Sequence, residues 1–290
     1  MCTNGLKFGR NCQNASHVPI TREIRELFLN EHNAKRSLVA KGRFFWNSAA
    51  TRMATVVWDD ELEMLALANV LQCQMDHDQC RKTKRFPFAG QNLYKLWTSD
   101  KDAINDDYIM RGVKTSMDIW FQEYKLVKNI SWIQAFGSNS APWWEIGHFT
   151  QMIWGDSAAI GCAIAQNQAD VYIACNYAKT NMMGSSVYEN GTMGSKCQMG
   201  MNREYPGLCN VNEFIKVLSI SEAPPVTKWI HNGKTIDEST SKKSTINVTN
   251  ESIQKAKHNQ NSSRSNKNVN ILAHIIILAL NTVIAKILIA

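Results

Sequence analysis

Apolar residues recur at helical spacing in three stretches of the first half of the chain. In residues 23–41 they fall on one side of a helix, and Gly42 follows as a residue that commonly ends one. The second stretch begins at the acidic residue Asp59 and carries an apolar stripe as far as Cys73. In the third, residues 117–127, apolar and aromatic side chains again share one face. The pattern predicts three helices that frame the fold.

The pattern changes between residues 158 and 177. Two short apolar runs, 159–165 and 171–175, are separated by a polar turn. Runs of this length bounded by turn residues predict two antiparallel strands. Paired as a hairpin, they would place Cys162 and Cys175 on neighbouring strands, within reach of a disulfide. Helices first and strands later are typical of an α+β layered fold.

The regular pattern ends after the two prolines at 224 and 225. From residue 231 to 270, 25 of 40 residues are Asn, Ser, Thr or Lys. Such a segment buries too little apolar surface to offset the entropy lost on ordering the chain. We therefore predict a disordered linker over residues 221–270.

The last 20 residues, 271–290, include 16 apolar ones. A helix of that length spans about 30 Å, the thickness of a bilayer core. Three interpretations stay open: a glycolipid-anchor signal behind a polar spacer, a transmembrane helix whose Lys286 reaches the interface, and a tail without function. The predicted organisation is a cysteine-containing extension, a folded domain, the linker and the apolar tail, at residues 1–20, 21–220, 221–270 and 271–290.

Composition and charge narrow the class of protein. A hydrophobic fraction of 44% over 290 residues supports a sizeable core and excludes a purely disordered or fibrous chain. The net charge is +7, but residues 222–290 hold nine basic and four acidic residues, so the folded part is nearly neutral. A basic tail without interleaved aromatic residues favours a solvated or membrane-proximal segment, and we expect no nucleic-acid partner.

The cysteines point to an oxidising compartment. All eight precede residue 221, and none forms the short C-x-x-C spacing of a zinc knuckle, which favours disulfides. Disulfides and six N-glycosylation sequons fit the secretory route, so we expect an extracellular protein. The chain begins without the apolar core of a signal peptide, and we therefore expect further residues upstream.

Several motifs together resemble one family. Residues 147–154 (GHFTQMIW) and 172–182 (YIACNYAKTNM) resemble the paired signatures of the CAP superfamily of cysteine-rich secretory, antigen 5 and pathogenesis-related proteins. Residues 73–80 (CQMDHDQC) and 90–93 (GQNL) resemble the insect antigen 5 or venom-allergen branch, and 205–209 (YPGLC) its dipteran members. The resemblance covers the first 220 or so residues of the chain and none of the tail.

The resemblance implies a three-layer α-β-α sandwich with a solvent-reachable central cleft. Family members line this cleft with two histidines and two acidic residues, and the matching positions here are His77, Gln91, Glu123 and His148. Gln91 departs from the glutamate of many relatives, a substitution that is usual in the insect branch. The disulfides implied by the resemblance join Cys12 to Cys73, Cys162 to Cys175 and Cys197 to Cys209. Cys2 and Cys80 are left over, and a bond between them is a fallback.

Two imidazoles converging in a cleft are suited to a zinc or copper ion with open coordination positions. An amide at Gln91 removes one anionic ligand and one proton carrier, so we expect weak metal binding at His77 and His148 and no required cofactor. The alternative is that the two histidines and Glu123 only order the cleft through hydrogen bonds. We assign no role to the remaining histidines singled out for comparison, which are His17, His32 and His231.

The motifs contain no nucleophile elbow and no free cysteine with a companion histidine, so we expect no enzyme. The leading hypothesis is a secreted, non-catalytic binding module for a lipid, a sterol or a host protein. The alternative is a metal-dependent hydrolase or redox scavenger that uses His77 and His148. A third hypothesis is a membrane-tethered display domain whose cleft is vestigial. The oligomeric state stays open.

Overall fold

By its internal contacts the chain divides into two units, Met1–Pro224 and Pro225–Ala290. A computed structural model gives the structure and describes residues 5–44, 46–79, 81–137 and 143–213, together with the backbone of two strands at 229–231 and 234–236.

The described part of the first unit contains five strands, five helices and two 3-10 turns at Lys101–Ala103 and Glu123–Leu126. In chain order the strands and helices are β1 (Ala15–Val18), α1 (Arg22–Ala40), β2 (Val57–Trp58), α2 (Asp60–Val70), β3 (Gly90–Trp97), α3 (Asp106–Gln122), α4 (Ser131–Gln134), α5 (Gly147–Met152), β4 (Ala159–Asn167) and β5 (Asp170–Tyr177).

In the second unit, β6 (Trp229–His231) pairs antiparallel with β7 (Lys234–Ile236). These strands are the described part of the predicted linker, and the apolar tail lies outside the described residues, so both predictions stay predictions. Across the described chain, no helix combines the length and the apolar character needed to cross a membrane.

The strands of the first unit form one sheet in the order β1-β4-β5-β3, and β2 adds a short parallel pairing to β4. β4 and β5 form the predicted hairpin, in which Cys162 lies directly opposite Cys175. Seven of the nine residues of β4 are buried, because both faces of this central strand are covered. β1, from the predicted N-terminal extension, pairs antiparallel with β4 and forms one edge.

Alternate residues of β4 face two different helical layers. Ile160 and Ile164 belong to the main core, which also contains apolar residues of α1, α3 and α5. On the other face α2 lies directly on Gly161, where an added Cβ would lie 2.1 Å from the backbone nitrogen of Glu63. The fold is therefore the expected α-β-α sandwich.

The first two helices are close to their predicted bounds. α1 begins where Thr21 accepts a hydrogen bond from the Ile24 amide and ends before Gly42, whose φ is +69°. α2 begins at Asp59, whose side chain caps its first turn, but it ends at Val70. The predicted extension to Cys73 is wrong, because this residue has a φ of +52° and leaves the helix.

The third predicted helix is displaced along the chain. α3 starts at Asp106, where Asn105 accepts a hydrogen bond from the Tyr108 amide, and it ends at Gln122. Residues Glu123–Leu126 form a tighter 3-10 turn, so the predicted continuation to 127 is wrong. Apolar spacing could not show this break, since buried side chains lie on both sides of it.

A buried cation joins α1 to the segment before β2 and to the end of α5. The Arg36 side chain on α1 is fully buried, and its guanidinium donates to the carbonyls of Ala54, Met152, Trp154 and Gly155 at 2.8–3.2 Å. Burial lowers the pKa of Arg36 to about 9. These bonds fix the segment that follows α5, and α5 carries part of the candidate site described next.

Candidate functional site

A cavity of about 540 Å³ opens at the Gly90 end of β3. Its walls come from the loop after α2, the start of β3, the approach to α5, and the segment after β5. The lining residues are His77, Arg81, Gln91, Asn92, Phe136, Trp143, Trp144, Gly147, His148, Gln151, Thr180, Asn181 and Met183.

His148, in the first turn of α5, is held by a carboxylate behind it. Its Nδ1 lies 2.6 Å from Oε1 of Glu123, whose Oε2 accepts a hydrogen bond of 2.9 Å from the Phe149 amide. The Trp120 ring lies nearly parallel to the imidazole, at 6.1 Å between centroids. Because a carboxylate only accepts, the His148 Nδ1 carries the hydrogen, and in the neutral ring the lone pair is therefore on Nε2.

His77, on the exposed loop after α2, is held through an amide. Its Nδ1 lies 3.0 Å from Oε1 of Gln91, and the Gln91 amide nitrogen donates to Oδ2 of Asp78 at 2.9 Å. The same nitrogen also donates to Asn176. The Asp78 carboxylate requires a donor, which fixes the orientation of the Gln91 amide with its oxygen toward His77. The His77 Nδ1 therefore also carries its hydrogen.

The two histidines thus share one chemical arrangement. In each, Nδ1 donates to a fixed oxygen acceptor, and within the described chain Nε2 has no hydrogen-bond partner. Metal-binding histidines commonly have this arrangement, because the outer hydrogen bond sets the tautomer and orients the ring. Each ring thus presents an Nε2 atom, the kind of donor that Zn²⁺ takes from histidine, and both rings line the same cavity.

The structure brings three of the four expected cleft residues, His77, Gln91 and His148, to the cavity wall. Glu123 lies behind His148 and outside the lining. Gln91 is 7% exposed, and its amide atoms are occupied by neighbouring side chains, so it positions His77. The sequence suggested that Gln91 matters because it removes an anionic metal ligand. In the structure its main role is to hold the His77 ring.

The histidines without an assigned role lie elsewhere. His17 is on β1, and His231 is on β6 in the second unit. His32 is fully buried on α1, where its Nδ1 donates to the Phe28 carbonyl and its Nε2 accepts from the Tyr177 hydroxyl at 2.9 Å. Asn92 donates both to that hydroxyl and to the His148 carbonyl, so this buried network is connected to the backbone of His148.

The hydroxyls nearest to His148 in sequence are not paired with it. Thr150 is fully buried and donates to the Ile146 carbonyl at 2.9 Å. Ser157 is also fully buried, and no described residue is hydrogen-bonded to its hydroxyl. In the described residues, no serine, threonine or cysteine is hydrogen-bonded to either cleft histidine. The described part of the site therefore shows no nucleophile hydrogen-bonded to a base.

The sequence did not point to Arg81, Trp143, Trp144 or Met183 as cleft residues, yet all four line the cavity. The adjacent tryptophans just before the GHFTQMIW motif were the available signal. Sequence alone could not place them, because an aromatic pair next to a motif is equally compatible with a core position.

The disulfides join Cys12 to Cys73, Cys162 to Cys175 and Cys197 to Cys209, which are the pairs that the resemblance implied. Cys2 and Cys80 lie outside the described residues. Sulfur atoms of the last pair approach the Glu213 carboxylate, but sulfurs bonded to each other are not thiolate ligands, so this cluster is no metal site.

Comparisons with known proteins decide the family. The profile described as "CAP: Cysteine-rich secretory protein family" matches residues 29–177. The chain belongs to the CAP family. Its CAP domain is similar to Venom allergen-1 of Aedes albopictus, with 35% identity over 74% of this chain and 84% of that protein. It is also similar to the antigen 5 like allergen Cul n 1 of Culicoides nubeculosus, at 36% identity over 59% and 75%.

Solved structures agree with the CAP fold. The crystal structure of NaASP2 with Zn²⁺ is 28% identical, has a TM-score of 0.55 and matches 69% of this chain and 100% of that one. BmVAL-1 is 25% identical with a TM-score of 0.56, over 65% and 94%. The fold, the insect venom-allergen resemblance and the disulfide-bonded character are thereby confirmed, and the disulfides fit an extracellular CAP protein.

Proposed function

We propose that this chain is an extracellular, non-catalytic binding module that holds a ligand in its two-histidine cleft. The observation that carries the proposal is the pairing of both Nδ1 atoms with fixed acceptors, which leaves both Nε2 atoms for a ligand. Histidine nitrogens that are already held in place lower the entropic cost of binding, because the two side chains lose little conformational freedom when the ligand binds.

The residues around the two histidines support binding more than turnover. The Nε2 atom of His148 could accept a proton, but no serine, threonine or cysteine of the described residues is hydrogen-bonded to it. Both oxygens of Glu123 accept hydrogen bonds from His148 and Phe149, so this carboxylate orients the imidazole, and Gln91 has no ionisable group. These features support a non-catalytic role more than the alternative of metal-dependent hydrolysis or redox chemistry.

His77 and His148 would hold a zinc or copper ion in this cleft. A bound ion would act as a Lewis acid that accepts an electron pair from a donor atom of the ligand. Two neutral nitrogen ligands without a carboxylate make a weak site, so we propose that the ion is optional. The zinc-containing structure of the similar protein NaASP2 supports this assignment.

The partner proposed for the module is a lipid, a sterol or a host protein. Exposed apolar side chains at the cavity, Trp143, Trp144 and Met183, support a ligand with apolar surface. We also propose N-glycans at Asn14 and Asn190, which are exposed, and at other sequons. Tethering to a membrane would run through residues 271–290.

Metal content and activity, measured together, test the proposed function. We expect the purified protein to bind up to one Zn²⁺ and His148→Ala to reduce zinc affinity at least about tenfold, because half of the nitrogen ligands are lost. The matched control His17→Ala, on β1, should leave zinc affinity unchanged. Peptide and ester substrates should not be hydrolysed with or without zinc. Metal-dependent turnover that His148→Ala abolishes would contradict the non-catalytic role.

A further inference from the structure

The cavity wall contains a basic side chain in the loop after α2. Arg81 is partly buried, and it is the single lysine or arginine among the described residues that line the cavity. Its Nε donates to the Ala89 carbonyl at 3.3 Å, and its Nη1 donates to the Asp78 carbonyl. Two main-chain carbonyls therefore hold the guanidinium in a fixed orientation.

The charge of Arg81 is not neutralised by the described protein. No carboxylate in the described chain forms an ion pair with Arg81, whereas Arg25, Arg52 and Arg85 each pair with acidic side chains. Among the described lining residues there is no aspartate or glutamate either. Within the described chain the Nη2 group and the second hydrogen of Nη1 have no acceptor, and this edge of a guanidinium can bind a carboxylate through two parallel hydrogen bonds.

An aromatic wall belongs to the same cavity. Trp143 and Trp144 are 46% and 64% exposed, and their rings stand at 85° to each other with centroids 5.7 Å apart. Exposed Met183 and buried Phe136 extend this apolar wall. Large exposed rings cost free energy in water, and a flat apolar partner would recover it by edge-to-face or offset contact.

We propose that the cleft binds a small planar organic anion, with its carboxylate on Arg81 and its ring system against Trp143 and Trp144. The proposal names the ligand class of the binding module, and in that sense it rests on the proposed function. The positive charge of Arg81 and the absence of a lining acid select an anion. The two tryptophans select a planar apolar body. Binding requires no metal ion, because Arg81 supplies the charge.

Calorimetric titration of the metal-free full chain with 2-naphthoate tests the proposal, and 2-naphthylmethanol serves as the uncharged partner of the same shape. We expect saturable binding of the anion, at least about tenfold tighter than the alcohol, because a charge-assisted bidentate contact has no equivalent in the alcohol. Equal affinities for the two compounds, or no saturable binding of naphthoate, would overturn the proposal.

Variants locate the binding site. Arg81→Gln should abolish the preference for the anion. Trp144→Ala should lower the affinity for both compounds about threefold to tenfold. The controls are Arg22→Gln, an exposed cation paired with Glu26, and Trp97→Ala, an exposed tryptophan outside the cavity lining. Neither control should alter naphthoate binding. Unchanged naphthoate affinity in Arg81→Gln would overturn the assignment.

Arg81 also holds its own loop, so Arg81→Lys keeps the charge in case the glutamine variant unfolds. This variant should retain a preference for the anion over the alcohol. The outcomes separate the two proposals. Zinc binding without turnover, combined with no naphthoate binding, contradicts only the ligand class. Metal-dependent turnover contradicts the non-catalytic role whether or not naphthoate binds.

Discussion

Gln91 shows how one residue type sets the chemistry of the cleft. A glutamate there would place two carboxylates next to each other, because Asp78 lies 2.9 Å from the Gln91 amide nitrogen. The amide donates to Asp78 and accepts from His77 at the same time, which a carboxylate cannot do. The sequence identified the substitution, but only the position of Asp78 explains why an amide is suited to it.

His32 gives the protein a pH-dependent stability. Burial lowers the pKa of His32 to about 3, whereas the unfolded chain has the ordinary value of 6.5. The unfolded state therefore binds this proton more readily, so the contribution of neutral His32 is complete above pH 6.5 and is lost as the pH falls toward 3. Between pH 7 and pH 5 the loss from this one group is about 2 kcal/mol.

We expect His32→Gln to be less stable than the natural protein at pH 7 but to show a flatter decline on acidification. Urea unfolding between pH 7.5 and pH 5 measures this difference in free energy. His17→Gln, on strand β1, is the matched control and should keep the natural pH dependence. A His32→Gln variant whose stability falls as steeply as that of the natural protein would refute the assignment.

At the scale of elements, the contact between α2 and the sheet depends on Gly161. An added methyl group would lie 2.1 Å from the Glu63 backbone nitrogen and 2.5 Å from the Asp59 carbonyl. Backbone atoms of a capped helix end cannot move away as a flexible side chain can. We expect Gly161→Ala to destabilise the fold by about 3 kcal/mol, since overpacking against rigid neighbours forces α2 away from β4.

The thermal unfolding midpoint measures this effect. Gly147→Ala is the matched control, because a Cβ at Gly147 meets no atom within 4 Å and its φ is not in the left-handed region. The control should match the natural protein or exceed it slightly, since alanine favours a helix. A Gly161→Ala variant as stable as this control would mean that α2 does not pack directly on β4.

Sequence periodicity predicted some helices and strands and missed others, and the reason in each case is physical. α1, α2 and the β4-β5 hairpin have apolar patterns that match their burial. β3 begins with three small or polar residues that are buried because the cleft network satisfies them, so its pattern did not indicate a strand. Glu123, the residue after the end of α3, contacts α5, and apolar spacing carries no signal for such a contact between segments distant in sequence.

At the scale of the whole molecule, the cleft is a product of tertiary folding. Its two histidines lie 71 positions apart along the chain, and the loop after α2 and helix α5 bring them to the same cavity. Family motifs predicted three of the lining residues because those residues belong to recognisable signatures. Arg81 and the tryptophan pair lie in segments without such a signature, so only the folded chain could assign them to the cleft.

The ring nitrogens of the cleft histidines test the central claim most directly. Long-range ¹H–¹⁵N correlation spectra of the labelled protein at pH 8 should show His77 and His148 as Nδ1–H tautomers. Added Zn²⁺ should then shift the Nε2 resonance of both rings, because those are the lone pairs that the fold leaves available. An Nε2–H tautomer in either ring, or spectra of both rings unchanged by zinc, would contradict the account.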